Sequence, residues 1–159
     1  MLAAPDVPVG PPAELILAFD YGERRIGVAV GNTGTGTANA VGVLPARGTP
    51  DWDAVSRCVG QWAPGRALVG LPYNMDGSET VLTAACRDFA AELSRRFKLP
   101  VELVDERLTS SAAMADLREA RRSGARSRRV RREDIDANAA RLILETWLQQ
   151  PDRPSGSAP

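Results

Sequence analysis

LILAFDYGERRIGVAV, residues 15–30, is the stretch that decides the fold. Leu15 to Phe19 reads as a strand running into Asp20, and Tyr21-Gly22 breaks it. Ile26 to Val30 is a second strand, so apolar along its length that it belongs inside a sheet. A third runs from about Thr35 to Leu44, and the short gaps between the three imply hairpins and an antiparallel start. Beyond them the periodicity changes. Asp51 to Trp62 has helical spacing through Trp52, Val55, Val59 and Trp62, and Pro64-Gly65 stops it. Ala67 to Leu71 is a strand ended by Pro72. Asp76-Gly77 leads into a long helix with Leu82, Ala85, Phe89, Leu93 and Phe97 on one face. Val101 to Val104 is a fifth strand, followed by helices over about Ser110–Arg122 and Asp134–Gln149. The order β-β-β-α-β-α-β-α-α predicts an α/β fold with a five-stranded mixed sheet and helices on both faces.

Within 159 residues there is room for one sizeable core and not for two ordinary domains. Residues 15–150 are expected to form that domain, between a flexible Pro-rich lead at 1–14 and a flexible tail at 151–159. No apolar run approaches a membrane span and no secretory signal opens the chain, so a cytoplasmic protein is expected. Cys58 and Cys86 fall among apolar neighbours in helical segments, which predicts buried thiols.

The chain has no histidine. That excludes serine and cysteine hydrolysis of the His-dependent kind, histidine bases and imidazole-ligated zinc. Hydrolytic chemistry here must run on carboxylates, most simply with a bound cation. Formal net charge is zero, yet every basic residue except Lys98 is arginine. Eight of these, at 118, 121, 122, 126, 128, 129, 131 and 132, crowd one polar stretch that reads as mobile. Arg128, Arg129, Arg131 and Arg132 are candidates to pair with phosphates, against the alternatives of a solubilising surface or a protein contact. Arg24 and Arg25, after Asp20, either meet a nucleic-acid backbone or form an ordinary solvated turn.

Three acids stand where a site is expected. Strand alternation puts Asp20 on the face of Ile16 and Ala18, with Gly22 permitting close approach. In VELVDERLTS, Asp105 shares parity with Val101 and Leu103, and Glu106 with Glu102 and Val104. Parity does not choose between the two, because both faces should be covered. Asp136 lies in line with Ala140, Leu144 and Trp147, at the inward side of the last helix's first turn, while Asp134 occupies the expected N-cap. If strands one and five end on the same edge of the sheet, Asp20 and an acid of 105–106 meet there, and the last helix brings Asp136 to them. Carboxylates so gathered repel unless a cation intervenes, and oxygen-only ligands suit one or two ions of Mg²⁺ or Mn²⁺.

At these residues the chain resembles the YqgF or RuvX family of bacterial nucleases. The resemblance rests on FDYGERRIGVAV (19–30), LVGLPYNMDGSE (68–79), DERLTSSAA (105–113) and IDANAARLILE (135–145), in the family's order, and spans about Leu15 to Leu148. It implies a ribonuclease H-like fold and hydrolysis of RNA phosphodiesters in 5′-end maturation of precursor 16S ribosomal RNA. The substrate would be precursor ribosomal RNA, on or off the ribosome; the alternatives are cleavage of branched, Holliday-junction DNA and non-catalytic ribosomal RNA binding. It implies Asp20, Glu106 and Asp136 as catalytic and metal-binding acids, which selects Glu106 over Asp105. It also implies Asn74 and Arg107 as phosphate-positioning groups and Thr109 as ordering the turn. A monomer or weak homodimer is expected, since the chain has no coiled coil or wholly apolar partner helix.

Overall fold

The computed structural model describes residues 13–74, 76–108 and 132–150. The expected helix over 110–122, the arginine-rich stretch through 131 and the tail from 151 lie outside the described residues, as does most of the lead. Strand β1 (Leu15–Tyr21) pairs antiparallel with β2 (Arg25–Asn32), and β2 with β3 (Thr37–Pro45). Strand β4 (Arg66–Leu71) lies parallel to β1 on its other side, and β5 (Val101–Asp105) parallel to β4. The sheet order is therefore β3-β2-β1-β4-β5. Helix α1 (Trp52–Trp62) follows β3 and α2 (Val81–Phe97) follows β4; α3 (Arg132–Leu148) closes the fold.

Local chemistry sets the helix ends. Asp51 caps α1, its Oδ1 accepting from the Ala54 amide at 3.1 Å, and Ala63 stops it in the left-handed region ahead of Pro64. Thr80 and Thr83 form a reciprocal capping box on α2. Leu82 departs from the expected apolar stripe: it is 37% exposed, and its neighbour Thr83 takes the buried place in the first turn of α2.

The two faces of β1 bury different cores. Leu17, Phe19 and Tyr21 join Val55, Cys58, Cys86, Phe89 and Leu93 beneath α1 and α2. Ile16 and Ala18 join Leu68, Val104, Ala140, Ile143, Leu144 and Trp147 beneath α3. Both thiols are buried, as the sequence predicts. Trp147 belongs to the core and donates from Nε1 to Glu102 at 3.2 Å. Arg66 is 8% exposed, pairs with Glu14 and Glu102, and stacks over Trp147, tying the starts of β1, β4 and β5 together.

Helix α3 reaches the sheet at a glycine. A Cβ on Gly27 would stand 1.9 Å from the Asp136 carbonyl oxygen, so α3 lies directly on the backbone of β2 there. No helix among the described residues is long and apolar enough to cross a membrane.

Gly27→Ala is expected to lower stability by about 3 kcal/mol, since backbone must retreat from backbone. Gly60→Ala in α1, where a methyl meets open space, should raise it by about 0.5–1 kcal/mol through helix propensity. Urea unfolding midpoints of the two variants check the pair.

Candidate active site

The row of residues that crosses the sheet at Asp20 builds the site. Asp20 is paired with Gly27 of β2, and continuing the β1–β4 register by one residue sets it beside Gly70. Gly70 is in turn paired with Val104 of β5. Asp20 thus lies between two glycines, on the face covered by α3. Gly27 admits the α3 backbone at Asp136. Gly70 admits Glu106: a Cβ there would stand 2.9 Å from Glu106 Oε2 and 2.5 Å from Ile143 Cδ1. The two missing side chains make room for the two other acids.

Asp20, Glu106 and Asp136 accordingly line one open cleft of about 460 Å³, with Tyr21, Gly22, Glu23, Arg24, Arg25, Pro72 and Leu82. The structure also separates the two acids that strand parity left equal. Glu106 begins a single 3-10 turn (Glu106–Leu108) and faces the cleft. The Asp105 carboxylate instead accepts from the Arg107 amide at 2.9 Å and from Arg107 Nη2 at 2.6 Å. Hydrogen bonding from Arg107 holds the Asp105 carboxyl below the usual carboxylate range.

The remaining expected site residues divide. Arg24 and Arg25 line the cleft. Arg25 begins β2 rather than sitting in the turn, and its Nε donates to Asp136 Oδ2 at 2.8 Å. Asn74 and Arg107 stand outside the lining. The Asn74 side chain donates to Ser78 Oγ at 2.9 Å, and the Arg107 guanidinium packs over the Tyr73 ring at 4.9 Å, fastening the turn after β5 to the loop before α2. Thr109, Arg128, Arg129 and Arg131 lie outside the described residues. Arg132 is the first residue of α3, so that helix starts two residues before the expected cap at Asp134, and Asp136 belongs to its second turn.

Cys86 lies under the site, 1% exposed. Burial, and then the negative charges of Glu106 and Asp20, push its thiol up to about 12. It therefore stays protonated and is neither nucleophile nor thiolate ligand. Sequence reasoning did not single out Gly27 or the contact of Gly70 with Glu106. Glycine inside an otherwise apolar strand is the signal that marks such close approaches.

A hard cation fits the donor set, which is all carboxylate oxygen. Among the described residues, however, no group of three acids is drawn in tightly enough to enclose an ion. Among the described residues, Arg25 sets a positive group on Asp136.

A five-stranded mixed sheet in this order, with helices on both faces and acids at the ends of its parallel strands, is a ribonuclease H-like α/β fold. The chain belongs to the RuvX family, described as Holliday junction resolvase, whose profile matches residues 14–150. It is 47% identical over 137 residues to a protein of Coxiella burnetii named as a candidate pre-16S rRNA nuclease, covering 86% of this chain and 93% of that one. A protein of the same name from Actinobacillus pleuropneumoniae is 46% identical over 138 residues, covering 86% of this chain and 98% of the other. Among solved structures, Thermus thermophilus RuvC in complex with Holliday junction substrate is similar at 13% identity with a TM-score of 0.48, over 84% of this chain and 93% of that one.

Two outcomes check this geometry. Cys86 should resist alkylation by iodoacetamide at pH 8 in the folded protein and react on unfolding, as read by mass spectrometry. Asp105 has a depressed folded value, so its stabilising effect is full above the ordinary aspartate range and fades as pH falls through the folded value. The stability gap between the unaltered protein and Asp105→Asn should therefore be open at pH 7 and close in acid.

Proposed function

We propose that this chain is a divalent-metal-dependent nuclease that hydrolyses RNA phosphodiesters in the 5′-end maturation of precursor 16S ribosomal RNA. The observation that carries the reading is the convergence of Asp20, Glu106 and Asp136 on one cleft in a chain without histidine. The names of its close relatives in Coxiella and Actinobacillus support the choice of substrate.

Each acid comes from a different element, so the cleft is held by the fold and not by a flexible loop. Asp20 is fixed by its ladder to Gly27, Glu106 by its contact with Gly70, and Asp136 by the helix that lies on Gly27. These three would hold Mg²⁺ or Mn²⁺. When bound, the ion supplies a Lewis acid that polarises a phosphate oxygen and activates water without a protein base. Arg24 and Arg25 supply positive charge at the cleft for the substrate backbone. Arg128, Arg129, Arg131 and Arg132 extend that attraction, with affinity falling steeply in salt. Asn74 and Arg107 would position phosphate entering the cleft, and Thr109 would order the turn after β5.

The family's description favours a second reading, cleavage of branched DNA. One assay separates the two: labelled precursor 16S RNA and a four-way DNA junction, each incubated with Mg²⁺, Mn²⁺ or chelator. RNA cleavage that needs the metal and falls about 100-fold or more in Asp20→Asn, with RNA binding retained, is expected. Junction-selective cutting would replace the first reading with the second. RNA binding without turnover, unchanged by the substitution, would show a binding factor and overturn both. Gly70→Ala, which pushes on Glu106 Oε2 and Ile143 Cδ1, should lower turnover more than binding.

A further inference from the structure

We propose that the Arg25 guanidinium holds the place of a divalent cation on Asp136, and that it is released to the substrate phosphate when the cation binds. The proposal rests on the metal-dependent reading above and adds an exchange that reading does not contain.

Three observations carry it. First, Arg25 bonds one of the proposed metal-binding acids directly, Nε to Oδ2 at 2.8 Å, across 111 residues of sequence. Asp136 is only 9% exposed, so a charge there needs a counter-cation close by. Second, neither backbone can drift. Arg25 starts β2, which is paired on both sides, and Asp136 is seated on Gly27 two residues farther along that strand. Exchange therefore falls to the side chains alone. Third, the Arg25 side chain is about a third exposed and lines the same cleft as Asp20 and Glu106. Rotation of its stem moves the guanidinium toward the cleft without opening the core. Among the described residues its terminal nitrogens donate to no other group.

The charges then account for the order of events. An ion on Asp136 and a guanidinium on the same oxygen repel, so a bound cation weakens the pair. A phosphate entering the cleft offers the displaced guanidinium a planar, bidentate partner. Arg25 is thus a positioning residue whose engagement with substrate depends on the metal. Before the metal arrives, it keeps the acids from repelling one another.

Calorimetric titration of the full chain with Mn²⁺ tests the exchange, using the unaltered protein, Arg25→Gln and Asp136→Asn. Arg25→Gln should bind Mn²⁺ about fivefold more tightly, since both a competing cation and a nearby positive charge are gone. Asp136→Asn should lose that binding. In parallel, the affinity of Arg25→Gln for a short single-stranded RNA should fall relative to the unaltered protein when Mn²⁺ is present. The slope of its salt dependence should then be shallower by about 0.7. In chelator, where Arg25 stays on Asp136, the loss of RNA affinity in Arg25→Gln should be smaller than in Mn²⁺. If the unaltered protein binds Mn²⁺ through Asp136 and Arg25→Gln binds it no more tightly, the exchange is wrong and the metal reading stands. If no protein binds Mn²⁺ at any concentration that supports folding, the metal reading fails and takes the exchange with it. Should Arg25→Gln not fold, Arg25→Met keeps the apolar stem and loses the charge; it should tighten Mn²⁺ binding in the same way, and an unchanged affinity overturns the exchange.

Discussion

Helix α3 rests on β2 at Gly27 with backbone against backbone, and that approach sets where Asp136 meets Asp20 in the cleft. Because Gly27 is the ladder partner of Asp20, the helix residue seated on it, Asp136, is brought beside the end of β1. The same face of β4 then carries Gly70, and its bare Cα is the space into which Glu106 settles from the end of β5. A methyl group at either position would displace a carboxylate. The steric demand of packing α3 and the electrostatic demand of gathering acids are met along one row of the sheet.

Gathering acids is unfavourable by itself, and the fold answers it differently at the two ends of the sheet. Where β1, β4 and β5 begin, Arg66 is nearly buried, paired with the partly exposed Glu14 and Glu102 and set over the Trp147 indole. Where the same strands end, the cation facing Asp136 is a partly exposed arginine at an open cleft. The first end resembles a permanent staple. The second keeps its counter-charge within reach of water, while the acid that it serves is nearly buried.

Much of this was legible in the sequence because β1 and β2 alternate cleanly. The parity of Ile16, Ala18 and Asp20 predicted one face for all three, and Ile16 and Ala18 do face α3. The periods of Val55 and Val59, and of Phe89 and Leu93, gave the helices of the other layer. Other features could not be read from local pattern. Asp105 and Glu106 were equivalent by parity on the expectation that both faces of β5 are covered; in the structure Leu103 is 41% exposed, and the Asp105 carboxylate is engaged by Arg107. The Arg25–Asp136 pair joins residues 111 apart and leaves no periodic trace. Asp134 looked like a cap because it precedes an apolar run, yet α3 starts earlier, at Arg132. Leu82 fitted the stripe of α2 but is 37% exposed at the cleft, while Thr83 beside it is fully buried.

The outer margin of the sheet has a consequence of its own. Along β3 the ladder runs Val28 to Gly42 and then Ala29 to Ala40, so Val41 is an extra residue, 42% exposed, that bends the edge strand in its middle. An incoming chain that tried to prolong the sheet there would find its amide spacing matched on one side of the bend and mismatched on the other. Sheet-to-sheet polymerisation is discouraged along that border without any charged residue or proline in the middle of the strand to enforce it.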